Sequence, residues 1–552
     1  MAKKLVEGEV LNVPDSGLLQ IPKFAYKGIK RIEIPKEDSD FATSDFGKSV
    51  LLKYLPSILA DHAKNATKID FFYNYFLGRQ DILNKERLYE KDAKNNHRVV
   101  ENHAFRQVNF KVGFLTSEKR DYTQKTAKSS EIDKNDLVYL DRYYTDCGFY
   151  SKDKDLKEWV YATGIGATFT RPRTDIIVYT GERTATGELI SRYKNANEGF
   201  DINYEAPFRY NTVDPRANFV VYSSMFDKTP LFCVSIVNVD VSKEGEKTPE
   251  IRKEIHIETR YASFVVQSDS SYTKFYDFTD EELIANPKVL SYLPIIEYSV
   301  NEARMGIVEL NRDSFNAINT VKSSIADMIV DNANVILVFK NVDIDGEQVE
   351  QMKEAGAIII GDSQTANNNI NADLKTITVE IPFEGLNTYY EQTLQQSYDI
   401  AGVPLASGQV TSGGDTGQAR LLGGGWNNAY IMINNDITTL LRYDYEQLKL
   451  ILQLCKDVPN CPLDKLNASE IDIKYRINQN DNFLVKTQGI QNLYSVNMPL
   501  DEIVKVSGLF SDVPTTSSKW AENIDRLKAQ GEETENIVNN SQDNKVLQSD
   551  YK

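Results

Sequence analysis

An apolar stripe that runs out along the chain and then returns constrains this sequence more than any other feature. From about Val300 to Asp331 a helical period places Phe315, Ile318, Val321, Ile325 and Met328 on one side. After Pro382 a second period places Leu386, Tyr390, Leu394 and Ala401 on one face. At a rise of 1.5 Å per residue the first stretch is a rod of about 48 Å. A rod of that length needs neighbours, in its own chain or another. Between the two rods lies a small mixed unit. It reads as a strand at Val335-Ile336-Leu337-Val338-Phe339, a short helix from Glu347 to Glu354, and strands at Ala357–Ile360 and Thr376–Ile381, with an Asn367-Asn368-Asn369 loop inside it. The order rod, knob, returning rod describes a hairpin with a knob at its tip.

The return rod ends at Gly402-Val403-Pro404. Residues 405–417 then carry Gly408, Gly413, Gly414 and Gly417 without one Lys or Arg, which reads as a mobile loop. Beyond it runs the longest periodic segment of the chain: Leu422, Trp426, Ala429, Ile433, Ile437, Leu440, Leu441, Tyr445, Leu448, Ile451 and Cys455. Gly423-Gly424-Gly425 falls inside that pattern, at a cost of about 1 kcal/mol per glycine relative to alanine. A kink, a hinge or a close backbone approach would account for it, as would two helices joined by a glycine turn.

Upstream, residues 1 to about 40 read as an extended or partly ordered arm. A strong helix follows, N-capped by Asp45, with Leu51, Leu55, Ile58, Leu59, Ala66, Ile69, Phe72, Tyr73 and Phe76 along its stripe. Its Phe71–Phe76 aromatic cluster is at core spacing, although such rings could also stack on bases. From about 131 to 290 the texture is β-rich, with strands at 217–222, 231–237 and 255–258. The end of the chain gives short helices at 483–495, 499–506 and 516–530 and a polar tail, Asn539 to Asn544. Long rods, a β-rich region and a small αβ knob together make an α+β chain.

Lys and Arg number 63 against 80 Asp and Glu, a net charge of −17 with a pI near 5.0. That argues against a chain that clamps nucleic acid tightly over its whole surface, because such binding rests on Lys and Arg displacing condensed counterions, and it leaves room for a local basic patch. Cys147, Cys233, Cys455 and Cys461 are too few for a disulfide framework. No apolar run after Met1 suggests a secretory signal and none reaches the 18 or more residues of a membrane span, so the chain reads as made in the cytoplasm. Catalytic signatures are equally scarce. Gly47-Lys48-Ser49 has Ala42 where a phosphate-binding loop needs glycine. His62, His97, His103 and His256 have no metal-ligand spacing, Cys147 and Cys233 have no histidine nearby, and Glu281-Glu282 reads as a solvated pair. The sequence predicts neither enzyme activity, cofactor nor metal.

This order of elements resembles the portal proteins of tailed double-stranded DNA bacteriophages, in particular the Gram-positive siphophage type. The resemblance is carried by Tyr73-Asn74-Tyr75-Phe76-Leu77-Gly78-Arg79-Gln80-Asp81-Ile82-Leu83, by Asn109-Phe110-Lys111-Val112-Gly113-Phe114-Leu115, by Pro294-Ile295-Ile296-Glu297-Tyr298, and by the stretch from Gly402-Val403-Pro404 to Gly417-Gln418-Ala419. Each motif is weak; their order over about 45–530 is specific.

The resemblance implies a ring, usually of twelve subunits, at one capsid vertex with a channel for DNA. After an N-terminal arm (1–44), residues 45–299 would form the wing, 300–334 and 383–402 the stem helices, and 335–382 the clip. Residues 403–416 would form the tunnel loop, 417–482 the kinked long helix and the rest of the wing, and 483–552 the crown. DNA-facing residues would be Ser407, Gln409, Val410, Thr411, Ser412 and Asp415, with hinges at Gly413, Gly414, Gly423, Gly424 and Gly425. Lys340, Asp343, Asp345, Glu347, Asn368 and Asn369 of the clip would meet the large terminase ATPase and later a head-completion adaptor. The implied partners also include the major capsid and scaffolding proteins and double-stranded DNA in transit, read without sequence specificity, and no membrane. The implied place is the virion, after assembly in the host cytoplasm. A minor capsid or adaptor component, or a packaging enzyme, is the alternative. Asp415 and Asp436 balance Arg420 and Arg442 over residues 403–442, a neutrality that suits a sliding polyanion.

Overall fold

Helix formation begins at Thr43, whose Oγ1 accepts the Phe46 N–H at 3.4 Å and so supplies one partner for the unpaired amides of the first turn. Asp45, expected as the cap, lies inside that turn, where its charge still faces the positive end of the helix dipole. The helix, α1 (Ser44–Phe76), contains Pro56 and buries Leu51, Leu55, Ile58, Leu59, Ile69, Phe72, Tyr75 and Phe76. The aromatic cluster is thus largely core.

The computed structural model describes residues 28–84, 97–125, 136–185, 189–194, 199–240, 251–267, 281–332, 336–340, 347, 373–377, 383–405, 426–477, 483–507, 509–510, 513 and 516–528. The chain forms two compact units. The larger comprises residues 1–73, 106–310 and 402–552, the smaller residues 74–105 and 311–401.

In the larger unit a six-stranded sheet has the order β1-β7-β8-β9-β10-β11, from β1 (Ile32–Ile34), β7 (Asn218–Ser223), β8 (Pro230–Asp240), β9 (Ile251–Thr259), β10 (Ala262–Gln267) and β11 (Leu283–Pro287). All neighbours are antiparallel except β1, which lies parallel to β7 with Ile32 opposite Val221. Part of the stretch expected as a loose arm is therefore an edge strand, because alternating Ile32 and Ile34 bury one side while Glu33 stays on the other. Leu51, Leu55 and Leu59 of α1 pack on Phe219, Val221, Phe232, Val234, Ile255 and Ile257 of this sheet. Each such side chain contributes roughly 1.5–3 kcal/mol on burial.

Segment 131–290 is not uniformly β. It opens with helices α3 (Asp136–Asp146) and α4 (Phe149–Thr163), which follow α2 (His103–Thr116). Leu140, Tyr143, Tyr144, Phe149, Leu156 and Val160 are buried at helical spacing, and tertiary packing overrides the weak helix propensity of the Tyr-rich stretch. The strands start at Gly166, after Gly164 closes α4 at φ +92°, where a Cβ would sit 2.2 Å from the Arg304 carbonyl oxygen. A three-stranded sheet, β12-β3-β6, is built from β3 (Gly166–Pro172), β6 (Phe208–Val213) and β12 (Ile295–Tyr298). β4 (Ile177–Arg183) pairs with β5 (Leu189–Tyr193), and β2 (Asp121–Gln124) pairs with β15 (Ile471–Lys474).

Helix α5 (Ile307–Asn332) begins later than the expected Val300, because Asn301 to Arg304 form a turn with Arg304 at φ +54°. Buried Arg304 pairs with Glu297, which also accepts the Val220 N–H at 2.9 Å, and this holds the turn open. At 26 residues α5 is a rod of about 39 Å. β13 (Ile336–Lys340) and β14 (Asp373–Ile377) are antiparallel, with Val338 opposite Lys375. They precede α6 (Phe383–Ala401), whose range matches the expected return rod. Helix α7 (Trp426–Lys456) is followed by α8 (Phe483–Ser495), α9 (Leu500–Ser507) and a helix over 516–528. The architecture is α+β. Among the described residues no helix is long and apolar enough to cross a membrane, and no group of His, Cys, Asp and Glu side chains could hold a metal ion.

Candidate functional site at the base of the glycine-rich segment

Residues 406–425 lie outside the described residues, and with them the expected site residues Ser407, Gln409, Val410, Thr411, Ser412 and Asp415 and the expected hinges Gly413, Gly414, Gly423, Gly424 and Gly425. Asp343, Asp345, Asn368 and Asn369 lie outside as well. Lys340 closes β13 opposite Asp373, and Glu347 is helical and exposed. The described residues on either side of the glycine-rich segment define its base.

At the entry, Gly402 has φ +61°, a left-handed conformation in which a side chain is strained. It also leaves no room: a Cβ there would lie 2.3 Å from Met432 Sδ and 3.0 Å from Met432 Cβ. Met432 belongs to the second turn of α7, so the residue before the segment packs on the helix that follows it. Val403, next in the chain, is buried.

At the exit, Trp426 opens α7 beside two rings of α2. Its indole centroid is 5.8 Å from Phe110 and 6.3 Å from Phe114, while Tyr430 lies 5.3 Å from Phe114. Pairs of this kind contribute about 0.5–1.5 kcal/mol beyond their area. Lys111 of α2, itself buried, reaches Asp436 at 3.1 Å, and the Tyr161 hydroxyl donates to the same carboxylate at 2.9 Å. Burial nonetheless dominates and raises the Asp436 carboxyl above its ordinary value, against the opposing pull of Lys111. Asp436 is therefore tied up internally, and the neutral balance expected from sequence changes in kind. The exposed residues of the first half of α7 are Asn427, Asn428, Ile431, Asn434, Asn435 and Thr438, and none carries a charge.

The second half of α7 is held differently. Leu448, Ile451, Leu454 and Cys455 enter a core shared with Leu140, Tyr143, Phe208, Tyr210, Ile471 and Ile473. Asp444 faces Arg120 Nη1 at 2.6 Å, and Asp153 faces Arg120 Nη2 at 2.6 Å. The Tyr475 hydroxyl donates to Asp444 at 2.6 Å, and the guanidinium lies 5.0 Å from the ring centroids of both Phe149 and Tyr475. Burial pushes the Asp444 carboxyl up, but Arg120 and then Lys157 outweigh it and hold the group below the usual carboxylate range. The same carboxylates keep Arg120 protonated despite burial.

In the smaller unit, α5 carries a ladder that the sequence did not signal. Asn319 Oδ1 accepts the Glu101 N–H at 2.8 Å, Ser323 Oγ accepts the Val99 N–H at 2.9 Å, and Asp327 Oδ1 accepts the His97 N–H at 2.8 Å. Acceptors four residues apart on a helix match alternate amides of an extended strand, so 97–101 pairs with side chains where a strand would pair with backbone. Helical spacing of Asn, Ser and Asp was the available signal, but such residues usually mark a solvated face. Gly402 was legible as a helix stop; its contact with Met432 was not.

A model of the family described as phage portal protein, SPP1 Gp6-like, matches residues 56–420. A solved structure titled "Neck of empty GTA particle computed with C6 symmetry" is 13% identical, with 74% of this chain and 90% of that chain covered and a TM-score of 0.37. No curated protein matches the chain.

Proposed function

The chain belongs to the SPP1 Gp6-like family of phage portal proteins, and from that premise we propose that it assembles into a ring, with twelve copies as the expected number, at one vertex of a phage head. The ring surrounds a channel through which double-stranded DNA is packaged, retained and ejected. The observation that carries this reading is the family match over 56–420, a span that includes the rod, paired strands and returning rod of α5, β13–β14 and α6. Residues 403–416 form the tunnel loop and 335–382 the clip, which docks the large terminase during packaging and a head-completion adaptor afterwards. Capsid and scaffolding proteins contact the ring in the assembling head, in the host cytoplasm. The chain's part is conduit and docking platform. The terminase supplies the motive force.

A conduit must pass a polyanion without trapping it. The uncharged outer face of the first half of α7 favours this, since Asn and Thr offer neutral hydrogen bonds where Lys would hold phosphates. So does the net charge of −17, repeated by every copy in the ring. The described residues on either side are packed in place, Gly402 against Met432 and Trp426 beside Phe110 and Phe114, and between them Gln409, Val410, Thr411 and Ser412 are the residues assigned to the duplex. Photocrosslinking from position 410 in filled heads tests the assignment. Crosslinks to DNA are expected in filled heads and none in empty ones; filled heads without crosslinks would contradict it.

A further inference from the structure

Helix α7 ends in a chain reversal. The Val458 N–H donates to the Cys455 carbonyl at 3.2 Å and the Cys461 N–H to the Val458 carbonyl at 3.4 Å, so one tight turn follows another. Pro459 fixes one backbone angle, and Asn460 takes the left-handed conformation at φ +55°, which turns the chain back on itself. The reversal returns Cys461 to the core that Cys455 enters from the last turn of α7. Their thiols are hydrogen-bonding neighbours there, and the Tyr143 hydroxyl lies 3.7 Å from the Cys461 Sγ. Cys147 and Cys233 have different surroundings. Their Sγ atoms bond to backbone carbonyls, those of Tyr144 and Ile295, each at 3.7 Å. Burial pushes each of those thiols up to about 12. In the pair the two thiols diverge instead: the hydrogen bond from Cys455 holds Cys461 below the ordinary thiol value, while burial raises Cys455 above it.

We propose that Cys455 and Cys461 are a redox-active pair that closes to a disulfide in an oxidising environment and so fastens the end of α7 to the turn that follows it. The inference rests on these contacts and not on the ring reading. A small-molecule disulfide serves as oxidant. Cys461, as the thiolate, attacks one sulfur of that molecule and displaces the other, which leaves a mixed disulfide on Cys461. Cys455 then loses its proton, attacks the Cys461 sulfur and releases the second half of the oxidant. The pair gives up two electrons, the external disulfide gains them, and the protons of the pair end on the two released thiols. Access comes through the turn. Asn460 is exposed and the 3.4 Å bond of the Cys461 N–H is longer than usual, so a local opening uncovers the sulfur while α7 stays folded. The loop closed is short, so the bond acts locally more than on overall stability. A virion component meets an oxidising medium once the particle leaves the cell, and such bonds persist there.

The test uses the full chain, equilibrated in glutathione buffers of rising oxidised fraction, blocked with N-ethylmaleimide and digested, with circular dichroism confirming that the fold is kept. Trypsin cuts after Lys456, between the two cysteines, so the bond is read as residues 450–456 and 457–465 joined in one species. That species is expected to build up while Cys147 and Cys233 still take the maleimide, and to vanish on reduction. Amide hydrogen exchange over 457–466 is expected to slow in the oxidised chain. Cys455→Ser is expected to stop at a glutathione adduct on Cys461, because no second thiol resolves it; the measurements on the parent chain stand without this variant should it fail to fold. Maleimide on both Cys455 and Cys461 at every oxidised fraction, a glutathione adduct that persists in the parent chain, or a bond from either cysteine to Cys147 or Cys233 would overturn the inference.

Discussion

The two halves of α7 show how one helix can be anchored at one end and lightly held at the other. Residues 444–456 enter a core of Leu, Ile and Tyr side chains and lock onto Arg120 through Asp444. Residues 426–436 are held by an aromatic clasp and by Asp436, and their outer face is amide-rich. Both halves contain a carboxylate beside a buried cation, fully buried at Asp444 and partly buried at Asp436, yet the two acids shift in opposite directions. Asp444 has Arg120, Lys157 and the Tyr475 hydroxyl around it, enough to outweigh burial; Asp436 has Lys111 and Tyr161, which is not enough. Desolvation is offset at Asp444, where two cations face one carboxylate, and is not offset at Asp436, where one does.

The largest effect should come from breaking the anchored half. Asp444→Asn leaves Arg120 and Lys157 buried with one carboxylate fewer and is expected to cost about 3–5 kcal/mol in chemical denaturation. A loss under about 1 kcal/mol would show that the cage does not set the position of α7. Next comes Gly402→Ala, which combines a left-handed backbone with the Met432 contact and is expected to cost about 1–3 kcal/mol. Adding Met432→Ala to it should recover part of that loss if the clash, as well as the backbone, contributes; full additivity of the two would contradict the contact.

Asp436→Asn should cost less, about 0.5–1.5 kcal/mol near neutral pH. Acidity sharpens the contrast. A carboxyl with a raised value in the fold contributes stability that is present at low pH and lost as pH rises through that value. The gap between the parent chain and Asp436→Asn is therefore expected to widen as pH falls from 7 towards 4. Asp444 is lowered, so its contribution is complete above the ordinary carboxylate value and is lost progressively as pH falls from that value through the folded one. The Asp444→Asn gap should thus stay constant from pH 7 to about pH 5 and begin to narrow, not widen, towards pH 4. Parallel trends at both sites, read from denaturation midpoints at each pH, would show that the two carboxylates do not differ as described.

Much of this architecture was legible where one periodicity persisted. The spacing of Leu386, Tyr390, Leu394 and Ala401 gave the return rod, and the strands at 217–222 and 231–237 stand close to where alternation places them. The late start of α5 was not legible, because it depends on Glu297, Arg304 and Val220 meeting from distant parts of the sequence. Helices α3 and α4 were hidden by tyrosines whose strand-like propensity is overridden by burial. At Gly402, glycine and proline marked the end of a helix, but nothing local announced that Met432 would fill the space beside it. No motif in the sequence singles out Arg120, and only the fold surrounds it with Asp153, Asp444 and Tyr475.

The most direct test of the central claim is negative-stain electron microscopy of the purified full chain, with mass photometry of the same sample. The account predicts closed rings with a central hole, at a mass that is an integral multiple of 62.6 kDa and near twelve copies. Monomers at every concentration, or closed dimers without a hole, would contradict it.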